Sequence, residues 1–268
     1  MPQQVRWHQS LCAASTCTIH PASGDLKMCQ LLVDETHAYY SSTAKLQHSH
    51  PKAATDRSTT CVNRCLNRKD GGHNTPLMIA CKLGYAMYRR SHRRFTTSSK
   101  YTNTHRVPLR HAPVARYLLQ RGADPFVQDK ARGYNCLQLA AYHGHAHVLR
   151  VLLDPATRVD RNGRSVALST AKVQYTGGTC RFVDSRASLG MTAMHVAAII
   201  GKADVAAVLL QRGASMAVRT VGQDQLDGVP ITLGATPLHL AAKCGCMKTL
   251  QIMLQVGARL RTTDRHET

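Results

Sequence analysis

The sequence predicts a mainly α protein made of stacked pairs of short helices. Three observations predict it. A unit of two apolar-striped segments, each followed by glycine, recurs along the 268 residues. Within each segment the apolar residues fall at i, i+3 and i+4, the spacing of one helix face. Aromatic residues make up only 5% of a chain that is 43% hydrophobic, as suits helices packed through Ala, Leu and Val.

The clearest unit is GATPLHLAAKCGCMKTLQIMLQVGA, residues 234–258. Thr236 is placed to cap a helix, accepting a hydrogen bond from an otherwise orphaned backbone N–H. Pro237 follows at the first helical position, where a missing N–H costs little. Gly245 is expected to close this first helix in a left-handed conformation. Leu250, Met253 and Leu254 stripe a second helix that Gly257 is expected to end.

The same order returns in GMTAMHVAAIIGKADVAAVLLQRGAS, residues 190–215, and in GYNCLQLAAYHGHAHVLRVLLD, residues 133–154. In the latter, Asn135 takes the cap and Cys136 the proline position. NTPLMIACKLGY at 74–85 is a first half, PVARYLLQRGADP at 113–125 a second half, and GDLKMCQLLVD at 24–34 another, with LCAA at 11–14 as a faint first helix. One such unit cannot bury its own apolar face, so neighbours must stack.

This is similar to the ankyrin repeat, a turn followed by two helices with a T-P-L-H-x-A core. The expected fold is an ankyrin solenoid of about five repeats. Its divisions are a degenerate N-terminal repeat at 1–34, a linker at 35–69 and two repeats at 70–154 interrupted at 86–111. A long loop at 155–186, two repeats at 187–264 and a tail at 265–268 follow. The order of these pieces, with Arg181, Phe182, Val183 and Arg186 leading from the loop into a repeat, resembles the ankyrin region of plant-type ankyrin-repeat RING-finger ubiquitin ligases. The resemblance implies a substrate-binding region. It does not imply ligase activity, because the RING pattern of that family is not among these residues.

The net charge of +20 is unevenly placed. Segments 35–69, 86–111 and 155–190 carry +4, +7 and +4. All three lie between or inside repeats, so the helical units are only mildly basic. Removing 86–111 joins ACKLGY to APVARYLLQRGAD in repeat register, which marks a basic insertion or a translated intron. Arg89, Arg90, Arg93 and Arg94, with Tyr88, Phe95 and Tyr101, form a basic-aromatic stretch of the kind that binds nucleic acid without sequence preference.

Candidate chemistry is sparse. His143, His145 and His147 alternate across a turn, where they do not share a helix face. Cys61 and Cys65, and Cys244 and Cys246, lack the second pair that a zinc ribbon needs. His195 and His239 recur at one repeat position, which points to hydrogen bonding at helix starts rather than catalysis. No phosphate loop, nucleophile elbow or carboxylate pair is present. No metal, cofactor, small-molecule substrate or enzymatic activity is expected. The cysteines within repeat helices and the lack of a signal-type apolar core suit a reduced, cytoplasmic or nuclear protein, and no apolar run approaches the roughly 20 residues of a membrane span.

The expected function is a non-catalytic protein–protein interaction scaffold, with a ligase's substrate-recognition part and nucleic-acid binding through the basic insertions as alternatives. Register places Lys82, Leu83, Tyr142, His143, Ile199, Ile200, Lys243 and Cys244 on the exposed face of first helices. Asp129, Lys130, Arg132, Ser185, Arg186 and Ser188 fall at loop tips beside it. Ile199 and Ile200 are apolar where a free surface favours polar residues, so they are expected either to meet a partner or to pack under the 158–184 loop. A transcript spanning Tyr85 to Pro113 tests the insertion: an uninterrupted reading frame in the mature message identifies it as genuine.

Overall fold

A computed structural model describes residues 26–27, 29–31, 33–34, 38, 63–84, 111–157, 171–175 and 178–263. The basic stretch at 86–110, the linker residues 39–62, loop residues 158–170 and the faint first helix at 11–14 lie outside the described residues.

Four helix pairs follow one another: α1 (Pro76–Leu83) with α2 (His111–Gln120), α3 (Cys136–His143) with α4 (Ala146–Leu152), α5 (Ala193–Ile200) with α6 (Ala203–Gln211), and α7 (Pro237–Lys243) with α8 (Met247–Thr263). First helices pack on first helices, α1 on α3, α3 on α5 and α5 on α7. Second helices do the same, α2 on α4, α4 on α6 and α6 on α8. The stack is therefore two rows of helices with the core between them, and Leu77, Leu137, Val196, Leu149 and Leu209 are fully buried there. Cys29 and Val33, in helical residues near the N-terminus, join the same core, and Asp34 pairs with Arg121 of the turn after α2.

Helix starts follow the local chemistry. The Thr75 hydroxyl accepts from the Met78 N–H at 3.3 Å, with Pro76 next in line. Asn135 accepts from the Leu137 and Gln138 N–H groups. The turn glycines serve close approach. A Cβ on Gly84 would lie 1.9 Å from the His145 ring, and one on Gly201 2.8 Å from Cys246 Sγ. Both glycines also hold positive φ, 48° and 73°, which side chains resist.

Two expectations about segment ends change. Gly257 does not end the last helix: α8 runs on to Thr263. A glycine inside a helix costs only about 1 kcal/mol, which a long helix absorbs. The 155–186 segment is more than loop, because β1 (Lys172–Tyr175) and β2 (Gly178–Arg181) pair antiparallel within it. A 3-10 turn at Phe182–Asp184 follows directly.

That turn joins the second helix pair to the third. Phe182 is fully buried and meets Phe126 edge to face, ring centroids 5.1 Å apart. Asp184 accepts from Arg181 Nη2 at 2.7 Å and from the Ser215 N–H at 2.8 Å. Ser185 receives Asn135 Nδ2 on its hydroxyl and Gln138 Nε2 on its carbonyl. Ser185 is therefore buried at 2% exposure, not a loop-tip contact residue.

The second hairpin, β3 (Asp224–Leu226) and β4 (Val229–Ile231), extends the connection between α6 and α7 into a finger. Asp227 and Gly228 form its two-residue turn, both with positive φ, the backbone of a tight hairpin. Leu226 and Ile231 are buried in the common core. Phe182→Ala is expected to lower unfolding stability by about 3–5 kcal/mol, read from urea titration, because it empties a ring-sized site at the junction of two pairs.

Candidate interaction surface

Two first helices, α3 and α5, begin with a side chain that works in two directions. In α3, Gln138 Oε1 accepts from the Asn135 N–H at 2.8 Å, while its Nε2 donates forward to the Ser185 carbonyl at 2.7 Å. In α5, His195 Nδ1 accepts from the Thr192 N–H at 3.2 Å, and its Nε2 reaches the Ala235 carbonyl at 3.2 Å. A nitrogen that accepts from an amide carries no proton, so the proton sits on Nε2 and is given to Ala235. In α7, His239 Nδ1 receives the Thr236 N–H in the same way, at 3.3 Å. His195 is thus a structural tie between repeats, and His239 fastens the start of its own helix.

His195 is fully buried, and burial drives its pKa down to about 4, against the opposing pull of the Ala235 carbonyl. A second tie runs from each turn to the helix before it. His145 Nε2 lies 3.0 Å from the Lys82 carbonyl, and Cys246 Sγ lies 3.9 Å from the Ile199 carbonyl. His145 and Cys246 are thus equivalent positions, each the residue after a turn glycine. The His143 and His145 rings stack with centroids 6.0 Å apart, strung along the turn rather than converging. Among the described residues no group of three His, Cys, Asp or Glu side chains is placed to hold a metal ion.

The register residues fall along one side of the stack. Lys130, Arg132, His143 and Lys243 are exposed, while Lys82, Leu83, Asp129, Tyr142, Arg186, Ile200 and Cys244 are half-buried. Ser188 is exposed, and its N–H donates to the Arg132 carbonyl at 3.3 Å, which puts two neighbouring loop tips side by side. Asp129 is taken up by its own turn, accepting from the Arg132 and Tyr134 N–H groups. Lys82 Nζ donates to Asn74 Oδ1. Arg186 Nη1 donates to the Arg219 carbonyl at 3.5 Å.

Ile199 departs from its expected exposure and is buried at 6%. It shares one apolar cluster with Leu226 and Ile231 of the finger, and Ile200 packs against that cluster. The finger is held on both sides of α5. Lys243 Nζ of α7 donates to the Pro230 carbonyl at 2.8 Å, and the Tyr142 hydroxyl of α3 donates to Asp227 Oδ1 at 3.0 Å. Ile199 thus belongs to the chain's own apolar core, with Ile200 packed against it.

At the finger's tip the geometry is most specific. Arg132 Nη2 lies 3.4 Å from the same Asp227 oxygen. Its guanidinium sits 5.0 Å from the Tyr142 ring centroid and 6.0 Å from that of Tyr134. Burial pushes the Tyr134 hydroxyl up to about 12, so this ring stays neutral. The sequence reading missed the finger and Asp227. The signal was present in Asp227-Gly228 flanked by Leu226 and Val229, the dipeptide that favours a two-residue hairpin turn.

The family model of ankyrin repeats in three copies matches residues 168–264, and that of ankyrin repeats in many copies matches 109–153. Together they span just over half of the chain. No curated protein matches it. No helix among the described residues is long and apolar enough to cross a membrane.

The His195 tie makes stability depend on pH. Its folded pKa lies below the unfolded value of about 6.5, so the unfolded chain binds the proton more readily and stability falls as pH drops from about 6.5 towards 4. His195→Gln, whose amide can accept from Thr192 and donate to Ala235, should keep stability at pH 7 within about 1 kcal/mol and flatten this slope. His195→Leu should cost about 2–3 kcal/mol at pH 7 by stranding both partners. Urea titrations across the pH range measure both.

Proposed function

This chain is an ankyrin-repeat protein, and from that premise we propose that it is a non-catalytic scaffold that binds another protein along the loop-tip and first-helix side of its stack. Ankyrin repeats generally mediate protein interactions without chemistry of their own. The supporting observation is the row of solvent-facing side chains that the repeat register brings together. Lys130, Arg132 and His143 belong to the α3 unit and Lys243 to the α7 unit, and the repeat register assigns all of them to the face that such stacks use for partners. The helices beneath are fixed by buried caps and inter-repeat hydrogen bonds, so the surface is presented on a rigid support and little ordering cost accompanies binding.

The ubiquitin-ligase reading rests on sequence likeness alone. Phe182 and Arg181, which carried that likeness, act here in packing and in an ion pair with Asp184. The nucleic-acid reading rests on 88–101, outside the described residues.

Affinity capture with the full chain tests the reading. Lys130→Ala with Lys243→Ala should lower recovery of protein partners while moving the thermal midpoint by no more than the loss of the Lys243–Pro230 hydrogen bond explains. Gln211→Ala, on a second helix, should leave recovery unchanged. Recovery that ignores the first pair, or consists of nucleic acid released by high salt, rejects the proposal.

A further inference from the structure

The finger's tip shows what kind of partner this surface fits. Arg132 and Tyr142 both direct a donor at one oxygen of Asp227, from 3.4 and 3.0 Å. Both donors also have supports outside the finger. Tyr142 stands in the last turn of α3, and Arg132 lies over the rings of Tyr142 and Tyr134. A guanidinium held against aromatic faces keeps its fork of donors oriented for a carboxylate. The result is a notch built before its occupant arrives.

The occupant is held unequally along its length. At its base the finger is fixed by the Thr220 N–H to the Ala235 carbonyl, the Gly234 N–H to the Thr220 carbonyl, and buried Leu226 and Ile231. At its tip, the Arg132 and Asp227 side chains are 42% and 39% exposed. An ion pair that open contributes little to stability and exchanges readily with another of the same charge. The surroundings favour an acidic replacement. Lys130 is exposed two residues from Arg132, and the Arg186–Arg219 contact adjoins through the neighbouring loop tip. Asp129 spends its carboxylate on backbone amides.

We propose that the Arg132–Tyr142 notch is a receptor for an acidic side chain of a protein partner, and that Asp227 is an internal stand-in which the partner displaces. This deepens the scaffold reading and rests on it. Binding exchanges one carboxylate for another, so the basic side chain is never left bare. The finger's base stays held by Leu226 and Ile231 in the common core while its tip swings clear.

The test uses the full chain and fluorescein-labelled octaglutamate, with octaglutamine and a single-stranded oligonucleotide beside it, followed by anisotropy at physiological salt. Asp227→Asn should tighten octaglutamate binding about two- to fivefold, the scale of an exposed ion pair removed from competition. Arg132→Gln should weaken it about tenfold, as expected on losing a hydrogen bond to a charged group. Arg93→Gln with Arg94→Gln should leave it unchanged. Hydrogen exchange at residues 224–231 should rise when octaglutamate saturates the chain. Equal affinities for wild type, Asp227→Asn and Arg132→Gln overturn the proposal, and so does a gain from Asp227→Asn seen with the oligonucleotide but not with octaglutamate. If Arg132→Gln is silent while Lys130→Ala with Lys243→Ala still lowers protein capture, the receptor fails and the scaffold reading stands. If both are silent, both fail.

Discussion

The stack depends on one recurring side chain, the third residue of each first helix. At its fullest it accepts a hydrogen bond from its own helix cap and reaches forward to the next unit. Gln138 and His195 satisfy both demands, because an amide and a neutral imidazole each carry one acceptor and one donor at opposite edges. Met78, at the same place in α1, manages only the first: Thr75 N–H lies 3.4 Å from its sulfur, which has no proton to offer forward. Since these groups are buried, an unmet partner costs more than the bond contributes, and the spacing of successive units is held to that of a hydrogen bond.

With the spacing fixed, side chains at equal places in successive units line up on one side. The residue after each turn glycine lies against the turn glycine before it, as His145 does at Gly84, Lys202 at Gly144 and Cys246 at Gly201. His143 and Lys243, exposed at the ends of α3 and α7, are the outward expression of that order. Two features depart from the repeat. The 3-10 turn at Phe182–Asp184 and the β3–β4 finger are both insertions between units, and each brings a carboxylate into contact with an arginine, Asp184 to Arg181 and Asp227 to Arg132.

The helix pairs were legible because their signals are local. Thr75, Thr236 and Pro237 announce helix starts within four residues, and stripes such as Leu250 and Met253 announce buried faces. The histidines at 195 and 239 were rightly read as helix-start hydrogen bonders from their recurrence alone. What escaped was non-local. Strands β3 and β4 have three residues each, too few for an alternation to stand out. The tip's anchor on Tyr142 lies 85 positions away along the chain. The burial of Ile199 also escaped, because register alone faces it outward while the structure takes it into the common core. The Gly257 stop failed for another reason: a glycine permits a turn, and the helix bends away only where surrounding contacts draw the chain aside.

A stack whose units touch only their neighbours can peel from either end, one unit at a time. The finger changes that. Asp227 meets Tyr142 and Arg132 across 85 and 95 positions of chain, passing over the whole α5–α6 pair. Before the last pair can fray free of the second, this long closure must open, and before it can form, the chain between must already be ordered. The tip therefore links the ends of three successive units into one cooperative block and adds a slow, high-contact-order step to folding that a plain array of repeats lacks.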